Sequence, residues 1–343
     1  MRLNGLTVPW NILYRSFNVV FLHKQPRNRR YFDILLMEVP EQELPPSYEW
    51  FSEQIAGHHP SVIKNGKREI GILKKNGSDK VLKPKQDGLR GECEVNVYKL
   101  VERALRHGTS GEVDYDGRVE KPRGWENVRE EDLKGLIELT PAFYGITTLS
   151  IDKEDHEFMI LEDITVHYKR PAILDIKMGK ITYDPFANKE KREKESGKYP
   201  PQKILGFRLL GYRMHRNNGE VIVKDKEWGK AHDEHNVLDG LHEFFSGRGT
   251  DPAVTSQVLE KMDRVRKWFA AQKSFQFYAS SLLFVYENDP SLPSNVQIVM
   301  IDFSHVFPSN DKYDVNYIHG LETLYSKLQA LHDSFLASSK QSH

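Results

Sequence analysis

Pro171-Ala-Ile-Leu-Asp175-Ile-Lys177-Met-Gly179 is the stretch whose reading decides this chain. It is an apolar run of strand length carrying one acid and one base two residues apart, and residues two apart on a strand face the same side. Asp175 and Lys177 therefore point together. Burying both among apolar neighbours costs several kcal/mol per ion without good pairing. They line a polar cleft or pair at a surface.

Downstream, Lys189 to Lys198 reads as a charged helix on which Lys191, Lys194 and Lys198 fall at i, i+3 and i+7, one face of the helix. The same stretch also reads as a solvated helix balanced by Glu190, Glu193 and Glu195. Ala253 to Gln272 carries Val254, Val258, Met262, Val265 and Phe269 at helical spacing. Leu282-Leu-Phe-Val285 and Val296 to Ile301 suggest a final hairpin, joined by the compact linker Glu287 to Val296, and Tyr317 to Leu336 a closing helix.

Upstream, Phe158-Met-Ile-Leu161 and Phe143 to Leu149 read as strands, His107 to Asn127 as a loop and Gly91 to Arg106 as a helix. Ile70-Gly-Ile-Leu73, Asn76-Gly77 and Lys80-Val-Leu-Lys83 read as two strands about a turn that tolerates positive φ, with Asn65-Gly66 the turn before them. Pro40, Pro45 and Pro46 mark a boundary. Before it, Val19-Val-Phe-Leu22 and Tyr31-Phe-Asp-Ile-Leu-Leu36 read as strands or as an extension. Hairpins, one helix and then a mixed region predict an α+β fold with a cleft between two lobes. The expected division is an N-terminal extension over 1–46, an N-lobe over 47–163 and a C-lobe over 164–343.

Composition narrows the classes. Of 343 residues, 38% are hydrophobic and 29% charged, which is ordinary for a globular chain. No apolar run approaches the roughly 18 residues of a membrane span. Forty-nine Lys and Arg against 49 Asp and Glu leave no global field to gather a polyanion, so any phosphate site is local and no nucleic-acid partner is expected. Arginines without an acid before Asp33 give the first segment a faint transit-peptide character. The one cysteine, Cys93, excludes an internal disulfide, fits a reducing compartment and reads as a small buried residue. His232 and His235 beside Asp233 and Glu234 are a weak zinc candidate, and Asp114-Tyr-Asp116-Gly117 begins like a calcium loop but lacks its ending.

Phosphoryl transfer needs a cation on the transferred group, an acid for magnesium, a nucleotide hinge and a placed nucleophile. Lys83, ending its strand, supplies a compact charge, with Glu94 on the following helix as partner. Glu162-Asp163-Ile164-Thr165, leaving an apolar strand, offers backbone groups to an adenine edge. Val299-Met-Ile-Asp302-Phe-Ser-His305 sets an acid at a strand end, where magnesium and nucleotide oxygens gather, with His305 close behind.

Together these segments resemble the inositol polyphosphate kinase family, whose Pro, three residues, Asp, one, Lys, one, Gly pattern is matched by Pro171, Asp175, Lys177 and Gly179. Ser280-Ser281-Leu282-Leu283 and Ile301-Asp302-Phe303 match two further elements in order, and the likeness covers Gln54 to Ala337. Tyr183-Asp-Pro-Phe-Ala187, Lys198-Tyr-Pro200, Phe277-Tyr-Ala-Ser-Ser281 and the run from Asp302 to Ser309 look most like its multikinase branch. The resemblance implies a two-lobed kinase-like fold with an antiparallel sheet lobe, a larger mixed lobe and a helical inositol-phosphate-binding insert at about 184–206. It implies ATP and Mg2+ as cofactors, with Lys83 on the phosphates, Glu162, Asp163 and Ile164 at the adenine, Asp175 at the ribose and Asp302 on metal and nucleotide.

Lys177 is then expected between the γ-phosphate and the acceptor hydroxyl, with His305 nearby, so that Asp175, Lys177 and His305 form the catalytic set. Arg90, Lys177, Lys191, Lys194, Lys198 and His305 would hold the acceptor, although Glu195 stands where the family has an amide. The implied substrates are inositol 1,4,5-trisphosphate and tetrakisphosphates, extending to phosphatidylinositol 4,5-bisphosphate head groups, in a cytoplasmic and nuclear monomer. A trisphosphate 3-kinase, a hexakisphosphate kinase and a non-catalytic inositol-phosphate-binding scaffold are the alternatives.

Overall fold

The computed structural model describes residues 2–3, 6–7, 41–55, 62–64, 67–109 and 124–341. The sequence readings at Val19–Leu22, Tyr31–Leu36, Asn65-Gly66 and Asp114–Gly117 lie outside those residues, as does most of the 107–127 loop.

Two five-stranded antiparallel sheets organise the chain. The first contains β1 (Tyr48–Trp50), β2 (Leu73–Lys75), β3 (Lys80–Pro84), β4 (Phe143–Ile151) and β5 (Glu154–Glu162), in the order β1-β2-β3-β5-β4. Helices α1 (Leu89–Thr109) and α2 (Glu130–Ile137) pack beside it. Helix α1 runs three residues past Arg106, so the loop expected from His107 begins later.

The second sheet is built on β6 (Pro171–Met178), flanked by β7 (Phe207–His215) and then β8 (Val221–Lys224) on one side. On the other side come β10 (Ser281–Glu287) and β11 (Gln297–Ile301), while β9 (Phe275–Phe277) pairs with β12 (Val306–Pro308) apart from it. Of the β6 side chains only Lys177 is more than marginally accessible, as its central place requires. Opposite Asp175 and Ile176 the register shifts by one residue, and Gly211 sits there because a Cβ would lie 2.3 Å from the Lys224 carbonyl oxygen.

Between β6 and β7 lie α3 (Lys189–Gly197) and α4 (Gln202–Leu205). The Asn188 side chain caps α3 by accepting from the Lys191 N–H at 2.8 Å, and α3 buries none of its side chains. After β8 come α5 (Lys226–Lys230), α6 (Val237–Phe245) and α7 (Pro252–Ala271). In α7 the Asp251 cap and Pro252 start a helix that buries Val254, Val258, Met262, Val265 and Phe269 along one face. That face meets the closing helix α8 (Val315–Gln341), which buries Tyr317, Leu321, Leu324, Leu328, Leu331 and Phe335. One apolar cluster runs from Val81 in the first sheet to Phe335, and a smaller one (Leu73, Leu82, Ile151, Phe158) covers the first sheet's other face.

The end of β6 is fixed by backbone contact. The Gly179 N–H donates to the Gly206 carbonyl at 2.7 Å, and Gly206 touches Gly320 of α8, where a Cβ on Gly320 would come within 2.0 Å of the Gly206 carbonyl oxygen. Gly320→Ala is expected to push α8 from the strand and cost about 1–3 kcal/mol, as overpacking does. Gly197→Ala, with nothing within 4 Å of its Cβ, should leave the melting temperature unchanged or slightly raised. Equal effects of the two substitutions on the denaturation midpoint would show that this contact does not hold the strand end.

Candidate active site

The first sheet and α1 meet the second sheet through ionised groups. Glu94 is fully buried in α1, and its Oε1 accepts from Lys83 Nζ at 2.6 Å and from the Phe303 N–H at 3.2 Å. Lys83 Nζ also lies 2.5 Å from Asp302 Oδ1. Burial opposes the Lys83 charge, but Asp302 and Glu94 outweigh it and hold the ammonium well above its usual range. Asp302, just past β11, has φ of 66°, a left-handed conformation that turns the chain there.

Lys83 and Asp302 stand at the edge of a cavity of about 310 Å³ walled by Ile72, Val81, Leu161, Ile173, Leu283 and Ile301. Glu162, Asp163, Ile164 and Asp175 line it too. Along the segment leaving β5, the Glu162 N–H donates to the Ala142 carbonyl and the Asp163 N–H to that of Asp79. The Asp163 carboxylate is committed to Lys74 and to the N–H and hydroxyl of Thr165. The Asp163 carboxylate thus closes the turn, while the residue still lines the cavity. The Ile164 N–H has no partner among the described residues.

Asp175 is buried and its Oδ1 accepts no hydrogen bond. Burial, then the charge of Asp302, pushes its carboxyl up to about 7 against the opposing pull of Ser281, Lys177 and Lys83. Lys177, two residues on, lines a different and larger cavity of about 710 Å³. Burial lowers its ammonium, Asp302 resists, and Arg208 adds to the lowering.

The larger cavity is basic. Lys177, Lys180, Lys198, Lys203 and Arg208 line it with His319, against the single carboxylate of Glu195, which is paired with Lys198 at 2.6 Å. Arg208 is the direct cross-strand partner of Lys177, with its guanidinium over the Tyr199 ring and its buried Nε without a partner. Like charges directly opposite destabilise a sheet. An anion between them would remove that cost.

The expected lysine stripe is split. Lys198 lines the cavity, while Lys191 pairs with Asp184 at 2.7 Å, and Asp184 also lies 3.4 Å from His305 Nδ1. Burial, then Arg90, lowers the His305 imidazole, so Arg90, Asp184 and Lys191 all act on His305. Lys194 is exposed and lines neither cavity, whereas Glu195 and the C-cap Lys198 line the larger one. Lys180, Lys203, Arg208 and His319 were not anticipated. The buried-and-accessible alternation of Phe207-Arg-Leu in β7 was the signal for Arg208.

The other candidates resolve locally. Cys93 donates to the Val306 carbonyl at 3.1 Å, and burial raises its thiol. His232 packs on Trp228 and bonds its carbonyl, whereas His235 is exposed. Among the described residues no group of three His, Cys, Asp or Glu is placed to hold a metal unaided.

The raised Asp175 pKa has a signed consequence for the chain without nucleotide or divalent metal. A carboxyl near 7 when folded, against 3.8 unfolded, contributes stability below pH 4 that is lost as pH rises to about 7. The wild type should therefore lose up to about 4 kcal/mol relative to Asp175→Asn across that window, at 1.36 kcal/mol per unit, and nothing further above it. Melting curves of both proteins between pH 4 and 9 with chelator check this. A difference independent of pH would mean Asp175 is ionised throughout.

A family model described as inositol polyphosphate kinase matches residues 158–329, half of the chain. The inositol polyphosphate multikinase of Homo sapiens is 31% identical over 249 residues, 72% of this chain and 53% of that protein. This chain thus spans about half the length of the mammalian relatives it matches. Inositol polyphosphate multikinase alpha of Arabidopsis thaliana is 26% identical over 78% of this chain and 90% of its own. A crystal structure of the Saccharomyces cerevisiae inositol phosphate multikinase Ipk2, solved with ADP and Mn2+, superposes with a TM-score of 0.56 at 22% identity, over 74% of this chain and 99% of that one, and shares the fold. The matched region begins in the strand leading to Glu162 and ends within α8, taking in Asp175, Lys177, Asp302 and His305, and by it this chain belongs to the inositol polyphosphate kinase family.

Proposed function

We propose that this chain is an ATP-dependent inositol polyphosphate kinase of the multikinase type, with inositol 1,4,5-trisphosphate and tetrakisphosphates as acceptors. One observation carries the reading. Strand β6 sends Asp175 into an apolar-walled cavity and Lys177 into a basic one, and the charge of Asp302 is felt at both residues. An aromatic base with phosphates fits the first and a polyanion the second, so the donor and acceptor would meet at β6.

In this reading the Glu162 carbonyl and the Ile164 N–H take the adenine edge, and Asp175, whose Oδ1 is orphaned, accepts from a ribose hydroxyl. Lys83 is held by Glu94 so that its charge meets the phosphates. Asp302 is a hard oxygen donor that would hold Mg2+ together with nucleotide oxygens. When bound, the metal neutralises charge developing on the transferred group. Lys177 bridges the transferred phosphoryl and the acceptor. His305, lowered by burial and Arg90, is neutral near pH 7 and accepts a hydrogen bond from the acceptor hydroxyl.

Ile181 and Val315 line the basic cavity with 39% and 74% of their surface exposed. Apolar groups at the rim of an anion site favour a second substrate, the head group of phosphatidylinositol 4,5-bisphosphate in a bilayer. The cytoplasm and nucleus are the setting this function would have.

Products formed from a panel of inositol phosphates with ATP and Mg2+ test the proposal. Binding without turnover would replace it with an inositol-phosphate-binding scaffold. Asp302→Asn is expected to keep the fold and lower kcat by at least about 10²-fold, since both the metal and Lys83 lose an anionic partner. Near-normal kcat would remove Asp302 from the metal site. Lys177→Ala should also cost on the order of 10²-fold in kcat; a change confined to KM would make Lys177 a binding residue alone.

A further inference from the structure

The basic cavity extends beyond the Lys177–Arg208 rung. One rung on, Met178 faces Phe207, the Gly179 N–H meets the Gly206 carbonyl, and the chain turns at Gly179 with φ of 99° into Lys180. At that end three elements converge. Asn316 of α8 holds both the N–H and the carbonyl of Ile181, at 2.8 and 3.1 Å. His319, one turn further along α8, fixes its ring by donating from Nε2 to the Ile204 carbonyl at 2.8 Å, beside Lys203 of α4. Lys180, Lys203 and His319 thus come from three elements onto one wall, and all three line the cavity.

The two lysine charges lack neutralisation, and His319, whose Nε2–H is spent on Ile204, would meet an anion through a protonated Nδ1. Lys180 and Lys203 have no ion-pair partner among the described residues, and the cavity's only carboxylate, Glu195, is taken by Lys198. Lys180 follows Lys177 by three residues across the turn at Gly179, so the two backbone positions stand at most about 10 Å apart. A phosphate bound between Lys177 and Arg208 leaves Lys180 and Lys203 free to take a second one. The volume, about 710 Å³ against about 310 Å³ for the neighbouring cavity, leaves room for more than one such group.

We propose that Lys180, Lys203 and His319 form a second phosphate-binding subsite at the far end of the acceptor cavity. It selects inositol phosphates that carry phosphate on the side of the ring away from the reacting hydroxyl. The subsite takes its ligand class from the kinase reading above. Its consequence is a graded preference in which the more highly phosphorylated ring binds more tightly, an advantage that weakens with salt because the lysines are exposed.

The test compares wild type, Lys180→Met/Lys203→Met and His319→Gln. Inositol 1,4,5-trisphosphate and an inositol pentakisphosphate are each titrated calorimetrically into the full chain without nucleotide at two salt concentrations, and kcat/KM is measured with ATP and Mg2+. Wild type is expected to bind the pentakisphosphate at least tenfold more tightly than the trisphosphate. In the double variant that advantage should fall to within about twofold, with KM for ATP and the melting temperature unmoved, and His319→Gln should remove part of it. An advantage that survives in the double variant, equal loss for both ligands, or a wild type without any preference would overturn the subsite. Preference lost as described in a protein that transfers no phosphate would sink the kinase reading and leave the subsite standing.

Discussion

A buried carboxylate must be matched by charge, and in this protein Glu94 imposes that demand on three parts of the chain at once. Lys83 comes from the first sheet, Glu94 from α1, and Phe303 and Ser304 from the segment after the second sheet, all converging on one carboxylate. Breaking such a group apart leaves an uncompensated ion in the interior, which is strongly destabilising. The sheets are therefore locked at the point where Lys83 also meets Asp302. The groups assigned to phosphate and metal are held in register by the interaction that joins the sheets.

The second constraint is the double use of β6. A central strand has neighbours on both edges, so its side chains alone can serve a site, and here Asp175 and Lys177 serve different cavities. The register shift falls opposite Asp175, where Gly211 lets β7 run close against the Lys224 carbonyl. The cost appears in electrostatics. Asp175 carries a raised pKa in the interior, and Lys177 stands directly across the strands from Arg208. Strain of this kind collects where a ligand is meant to relieve it.

Strand β6, helices α1, α7 and α8, and the hairpin of β10 and β11 were legible because each pairs a clear period with a charge or cap at its end. The residues of the smaller cavity were legible for the same reason, as Lys83, Glu162 and Asp302 all stand at or beside strand ends. Strand β7 and helix α6 were not, and part of the lining of the larger cavity went unread with them. Arg208, Lys203 and His319 lie in segments with no motif, and tertiary contacts at Gly206 and Gly320 bring them together. Helical spacing grouped Lys191, Lys194 and Lys198, but could not say that Asp184 would take the first. Nor could it show Asp163 spending its carboxylate on its own turn.

Helix α3 contributes Glu195 and Ser196, and its C-cap Lys198, to the cavity while burying no side chain of its own. It is held at its start by Asn188 and followed by the buried ring of Tyr199. Substitution on such an element meets no packing penalty, so its sequence can drift or be exchanged while the core keeps its stability. Between those two anchors the protein carries a cassette in which the lining of the larger cavity can be rewritten, by evolution or by grafting, without refolding the rest.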